Sequence, residues 1–314
     1  MRVITDLSTP PWPGDRAVVT IGAYDGVHLG HQAVIAEVRR RAEATGAHSV
    51  VITFDRHPAS VVRPESAPRL LTDLEQKLEL LAATGVDATV VITFDQRQSE
   101  EEPLAFAQRV IVDCLATSAI VVGEDFHFGR GRGGNVGTLR ELGATAGFEV
   151  HPLPLVPRTD GPDESLSSTA IRRAMAGGQV ELAAQMLGHP FEARGKVVQG
   201  DQRGRLLGFP TANVEVPRAM CLPSDGVYAG WYERPDGSRH MCAINLGRRP
   251  TFYEHADHSL LEAHLLEFQG DLYGERARVQ FTHFLRSERK FDGIDALIGQ
   301  LKNDIDHARS VLAP

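Results

Sequence analysis

Along the first half of the chain, short apolar runs alternate with stretches whose apolar positions recur at helical spacing. The runs Ala17–Ile21, His48–Phe54, Ala88–Phe94, Ala119–Val122 and Phe148–Leu153 read as strands. Between them, Val34, Ile35, Val38 and Ala42 fall on one face of a first helix, and Leu74, Leu78 and Leu81 on one face of a second. Ser99, with Glu102 three residues later, has the form of a capping box opening a third. Such alternation predicts a parallel sheet with crossover helices, whose ligands bind beyond the carboxyl ends of the strands.

Around Gly188-His189-Pro190 the pattern changes. The runs Ala193–Gln199, Val227–Glu233, His240–Leu246, Leu260–Phe268 and Ala277–Leu285 follow one another without helical stretches between them. Pro235-Asp236-Gly237 supplies a hairpin turn between two of them. Consecutive strands of this kind predict an antiparallel barrel. Ile294, Leu297, Ile298, Leu301, Ile305, Ala308 and Leu312 then mark a helix, with Asp292 as its expected N-cap. The fold class is therefore α/β over residues 1–187, followed by a β-barrel domain with a final helix over 188–314.

Composition narrows the classes. A chain of 314 residues has room for two domains, and 42% hydrophobic with 24% charged residues marks cores rather than disorder. A net charge of -8 without a long basic block predicts no nucleic-acid partner. Cys114, Cys221 and Cys242 form neither a zinc spacing nor a disulfide framework, as expected in a reducing cytoplasm. No apolar run approaches the roughly 20 residues of a membrane span, and the residues before Ala17 lack a signal peptide's apolar core. A cytoplasmic protein without a membrane partner is expected; nothing in the composition speaks to oligomeric state.

The candidate chemistry starts at TIGAYDGVHLGHQAVI, Thr20 to Ile35, where a strand passes into a helix through Gly22, Gly26 and Gly30 and two histidines, His28 and His31. Three readings compete. The histidines are polar turn residues, or two metal ligands with His57 as a third, or donors to a phosphate at a helix N-terminus, which favours anions. The run Ser165-Leu166-Ser167-Ser168-Thr169-Ala170-Ile171-Arg172 packs hydroxyls before another predicted helix with an arginine in its first turns. That is a good N-cap, and also a good clamp for a triphosphate.

GAYDGVHLGH resembles the HxGH motif of nucleotidyltransferases, and SSTAIR that superfamily's second, phosphate-holding motif. With FDRHP, VGEDFHFGRGR, GRLLGFPTAN, DGVYAG, NLGRRPTF, LEAHLLEFQGDLYG and ERKFD in this order, nearly the whole chain resembles the bacterial bifunctional riboflavin kinase/FMN adenylyltransferase family, also called FAD synthetases. The resemblance implies a Rossmann-like nucleotidyltransferase domain that adenylylates FMN, and a barrel that phosphorylates riboflavin. ATP would be co-substrate in both, and Mg²⁺ the cofactor. His28 and His31 would be catalytic, with Gly22, Asp25, Gly26, Gly30, His57, Asp125, Ser168, Thr169 and Arg172 binding the first ATP. In the barrel, Glu262 would be the base for the ribityl hydroxyl. Gly204, Gly208, Thr211 and Asn213 would bind the second ATP, Thr211 and Asn213 also holding the metal. The chain departs from the usual first motif at Ala23 and Tyr24, where Asn and Phe are common, and carries Asp125 where some relatives have Asn. These differences are expected to touch substrate handling. A nucleotidyltransferase for phosphopantetheine is disfavoured by GFPTAN and LEAHLLEF, and a catalytically inactive flavin sensor by the site residues retained in both halves.

Overall fold

The computed structural model describes residues 1–154, 156–157, 165–200, 204, 207–247 and 260–313. Parts of the GRLLGFPTAN, NLGRRPTF and Gly200–Gly208 segments lie outside these residues. The chain divides into two compact units, Met1–Ser167 and Ser168–Pro314.

The first unit is built on a six-stranded parallel sheet. Its strands are β1 (Arg2–Ile4), β2 (Ala17–Ile21), β3 (His48–Phe54), β4 (Ala88–Ile92), β5 (Thr117–Gly123) and, after the short hairpin β6 (His127–Phe128) and β7 (Gly134–Asn135), β8 (Glu149–Leu153). The order across the sheet is β1-β4-β3-β2-β5-β8. Every residue of β2 and β4 is buried, which is why these strands read as continuous apolar runs rather than alternating ones. The helices are α1 (Leu29–Thr45), α2 (Ala59–Val62), α3 (Leu74–Ala83), α4 (Gln96–Ser99), α5 (Pro103–Ala107) and α6 (Val136–Ala146). The chain steps outward from β2 through β3 to β4, then returns to place β5 on the other side of β2. The carboxyl ends of β2 and β5 thus flank the point where the strand order reverses, the usual position of a ligand in such sheets.

One local expectation is corrected in this unit. Ser99 does not open a helix: Asp95 takes the backbone N–H of Gln98 at 2.8 Å and starts α4, whose last residue is Ser99. The chain then restarts at Pro103, already suited to a first helical position, after Glu102, which makes no side-chain cap. On α3, Leu74 and Leu78 are half-buried and Leu81 is buried, as the spacing predicts, and Gln76 and Lys77 are buried as well. The edge strand β1 was not expected; its three residues are too few to show a period.

The second unit opens with α7 (Ser168–Ala176) and α8 (Val180–Leu187), followed by β9 (Phe191–Val198), β10 (Ala212–Glu215), β11 (Gly226–Glu233), β12 (Arg239–Gly247), β13 (Leu260–Leu265), β14 (Arg276–Arg286) and α9 (Ile294–Leu312). The strands close an antiparallel barrel in the order β10-β13-β12-β11-β14-β9. Phe191, Tyr228, Tyr232 and Phe281 are fully buried in this unit. The β11–β12 turn is the expected one: Arg234 N–H bonds Ser238 O, and Asp236 Oδ1 accepts from Ser238 N–H at 2.8 Å. The helix pair α7 and α8 is tied to the barrel, since Ser224 N–H donates to Met175 O at 3.0 Å and Phe284 N–H to Glu181 Oε1 at 2.8 Å. The helix α9 packs on β11, β12 and β14 through Ala308 and Leu312. Asp292 does not cap it; the N-cap is Gly293, which has no side chain to do so, and Ile294 is exposed. Among the described residues, no helix is long and apolar enough to cross a membrane.

Candidate active sites

The loop between β2 and α1 is held in an unfavourable backbone conformation by many ties. Tyr24 (φ 50°) and Val27 (φ 40°) lie in the left-handed region, where a β-branched residue such as Val27 is rare. Gly26 (φ 83°) occupies the same region without a steric penalty. Tyr24 Oη is 2.7 Å from Thr20 Oγ1, and its ring is buried among Val27, Ile35, Val51, Leu81 and Val86. Burial pushes the Tyr24 phenol well above its ordinary pKa. Tyr24, one of the two departures from the usual motif, is thus held by packing within the unit. Asp25, buried, accepts from Leu71 N–H (2.9 Å), Thr72 N–H (3.0 Å) and the Thr72 hydroxyl (3.3 Å), and Gly26 N–H donates to Thr72 Oγ1 at 3.1 Å. Residues held this way in sparsely populated conformations cluster at functional sites.

The loop delivers the two histidines to the start of α1. His28 is the N-cap, and its Nδ1 accepts from His31 N–H at 3.3 Å. That bond requires Nδ1 to be unprotonated, so neutral His28 carries its proton on Nε2. The two rings stack with centroids 3.6 Å apart, and Tyr24 lies 4.8 Å from His31 on centroids. Gly30 leaves room for this stack: a Cβ there would meet the His28 imidazole at 3.1 Å. Burial, His28 and Lys77 all hold the His31 pKa well below the usual histidine range. Its Nδ1 is buried with no hydrogen-bond partner, an arrangement that a bound polar ligand would satisfy.

Lys77 was not singled out in the sequence. It is buried on α3, and its ammonium donates to Phe54 O (2.7 Å), Ala23 O (3.3 Å) and Thr53 Oγ1 (3.3 Å). His57 follows β3, and its Nδ1 accepts from Ala59 N–H at 3.1 Å. Asp125 follows β5 and is exposed; its carbonyl is hydrogen-bonded by His127 Nδ1 at 2.8 Å. Gly22, Asp25, Gly26, His28, Gly30 and His31 are therefore gathered on one loop, with His57 and Asp125 after the two neighbouring strands. Ser168, Thr169 and Arg172 occupy the first turns of α7, in the other compact unit. Among the described residues, no three His, Cys, Asp or Glu side chains are grouped to hold a metal ion.

The second candidate site is a cavity of about 720 Å³ in the barrel unit, lined in part by Gly204, Thr211, Asn213, Asn245, Glu262 and residues of α9. Strand register explains the grouping. Asn213 on β10 and Asn245 on β12 are both direct cross-strand partners of Glu262 on β13, so the three side chains form a row on one face. On β13, Leu261, Ala263 and Leu265 are buried, whereas Glu262 and His264 share the opposite, half-buried face. Thr211 lies one residue before β10; His264 Nδ1 contacts Pro210 O at 2.8 Å and so places this segment. Arg286 grips Asp304 of α9 through Nε–Oδ1 (2.9 Å) and Nη2–Oδ2 (2.6 Å), fixing the helical wall. Gly208 does not line the cavity. Asn245 is the lining residue that sequence reasoning passed over, although it stands in the quoted NLGRRPTF segment.

Two family models match successive parts of the chain. A family model described as FAD synthetase matches residues 12–170, and one described as riboflavin kinase matches 187–312. The chain is 37% identical over 309 residues to the bifunctional riboflavin kinase/FMN adenylyltransferase of Listeria monocytogenes, covering 98% of this chain and 96% of that one. With the Escherichia coli K12 protein of the same description, identity is 36% over 97% of this chain and 95% of the other. A crystal structure described as a macrolide-efflux protein from Streptococcus pneumoniae is similar over 98% of both chains, with 29% identity and a TM-score of 0.85.

Proposed function

Since the chain belongs to the bifunctional riboflavin kinase/FMN adenylyltransferase family, we propose that its two reactions run at the two sites just described. The enzyme phosphorylates riboflavin to FMN with ATP and joins FMN to the adenylyl group of a second ATP, releasing pyrophosphate. In our reading, residues 1–187 carry the adenylyl transfer and 188–314 the kinase.

For adenylyl transfer, an FMN phosphate oxygen attacks the α-phosphorus of ATP, and the bond from that phosphorus to the bridging oxygen of pyrophosphate breaks. The nucleophile is already ionised, so no base is required. His28 and His31 stabilise the charge that develops on the α-phosphate and the leaving pyrophosphate. Asp25 shapes the loop from below, its contacts with Leu71 and Thr72 aligning Gly26. Gly22, Gly30, His57 and Asp125 border the nucleotide, and the family resemblance assigns its distal phosphates to Ser168, Thr169 and Arg172. The observation that carries this reading is the strained loop that presents a stacked histidine pair, with one buried unpartnered nitrogen, at a helix N-terminus.

For the kinase, the ribityl hydroxyl gives its proton to Glu262 as its oxygen attacks the γ-phosphorus of ATP, and ADP leaves. Asn213 and Asn245 flank Glu262 on the neighbouring strands. Thr211 and Asn213 offer hard oxygen donors in the same cavity and fit Mg²⁺, which when bound neutralises phosphate charge. Gly204, in the cavity lining, borders the phosphates. The use of ATP and three buried cysteines outside any disulfide support a cytoplasmic location.

The test is a paired assay on one preparation. His28→Ala and His31→Ala should each lower kcat for FAD formation on the order of 10²-fold or more, as for loss of a preorganised donor, and leave FMN formation intact. Normal adenylyl transfer in both variants would remove the histidines from the reaction.

A further inference from the structure

We propose that Lys77 is a positioning residue for adenylyl transfer: its ammonium ties the Gly22–His31 loop to the end of β3 and lays a fixed positive charge beneath the histidines. The inference rests on the reading that this loop is the transfer site. Its first support is stoichiometric. An ammonium has three protons, and Lys77 meets three acceptors, Phe54 O, Ala23 O and Thr53 Oγ1. The Thr53 hydroxyl in turn donates to Ala23 O at 3.1 Å, so it presents a lone pair to the lysine. The lysine is thus saturated within the protein and acts through the loop, not on substrate.

The second support is electrostatic. Carbonyls at the carboxyl end of a parallel sheet point their negative ends toward the ligand, an unfavourable floor for a triphosphate. Lys77 takes up two of these oxygens, one after β2 and one at the end of β3. The charged groups that bear on it are Asp25 after β2, Asp55 after β3 and His31 on α1. Its charge also helps keep His31 neutral until an anion arrives. Burial pushes the Lys77 pKa down to about 8, against the pull of Asp25 and Asp55.

The sign of the pH effect separates this role from a merely structural one. Raising pH through about 8 removes the charge, so adenylyl transfer should fall. Between that value and the ordinary lysine value, the unfolded chain binds more protons than the folded one, so this group makes the fold more stable as pH rises. A structural role alone would give no loss of rate where stability improves.

The experiment compares wild type, Lys77→Met, Lys77→Arg and His31→Ala, assaying FAD formation from FMN and ATP across neutral to alkaline pH and kinase turnover on the same samples. Lys77→Met should lose on the order of 10-fold or more in kcat, below the direct donor's effect, with KM values and kinase turnover near wild type. Lys77→Arg should recover most of the rate and lack the alkaline fall, because a guanidinium stays charged. A wild-type kcat in Lys77→Met, or an unchanged alkaline fall in Lys77→Arg, overturns the inference. Should Lys77→Met not fold, the Lys77→Arg profile decides alone. A fully active His31→Ala would instead overturn the site reading, so the two failures are distinct.

Discussion

Replacing Asp25 with alanine removes a buried acceptor and nothing else of bulk. The carboxylate serves Leu71 N–H, Thr72 N–H and the Thr72 hydroxyl. The hydroxyl can turn to another acceptor; the two amides cannot. A buried donor left unmade costs about 1–3 kcal/mol, so Asp25→Ala should destabilise the first unit by about 2–6 kcal/mol. For a unit of this size each kcal/mol shifts the midpoint by about 2–4 °C, and the combined loss is roughly 5–20 °C. A functional loss should accompany it. Tyr24 and Val27 are held in conformations that cost about 1–3 kcal/mol each, and Asp25 lies between them. Slackening the loop by one such increment should lower FAD formation on the order of 10–100-fold. Asp25→Asn keeps one acceptor and should fall between the two. The assay is calorimetry, in which the two units should melt apart in the variant, together with both catalytic rates on the same material. An Asp25→Ala protein with wild-type melting and wild-type adenylyl transfer would refute the view that this carboxylate braces the loop.

Two further outcomes are expected. Glu262→Gln should lower FMN formation by roughly 10²–10⁴-fold, the usual contribution of a general base, while adenylylation of supplied FMN persists; normal kinase turnover would leave the barrel without its base. A fragment of residues 168–314 should melt higher than one of 188–314, since the latter loses α8 with its buried Val180, Ala183, Met186 and Leu187, yet both should make FMN and neither FAD; FAD from either fragment would refute the assignment of activities.

Much of this architecture was legible because burial and composition speak together. The runs Ala17–Ile21 and His48–Phe54 are observed strands to the residue, since parallel strands covered on both faces are predominantly apolar and β-branched. Ser99 and Asp292 misled for a common reason: a cap is a competition among neighbours. Asp95 and Pro103 outweighed Ser99, and Gly293 took the cap position without any side chain. In the sites, His28 stood out through its glycine-rich setting, Asn213 through its alternation with Thr211, and Glu262 only through the family resemblance. Lys77 did not. A lysine within Leu74–Ala83 reads as a solvated helix face, and only the fold shows carbonyls from two strand ends converging on it. Asn245 was hidden likewise, since it belongs to the kinase cavity through register with Glu262, not through sequence proximity.

The left-handed Val27 bears on anyone wishing to make a heat-tolerant flavin-forming catalyst. Ranked by strain, it is the first position an engineer would look at, yet its side chain is buried with Tyr24 and Ile35, so glycine there would relieve the backbone while emptying part of the core. The same change would slacken the loop that presents His28, so in our reading it would improve neither stability nor adenylyl transfer. Gly299 makes a safer starting point. It sits within α9, with nothing near the place where a Cβ would go, and alanine there should add about 0.5–1 kcal/mol of helix stability. Robustness and turnover are thus adjustable at different addresses in this molecule, and a design campaign that respects the distinction need not trade one for the other.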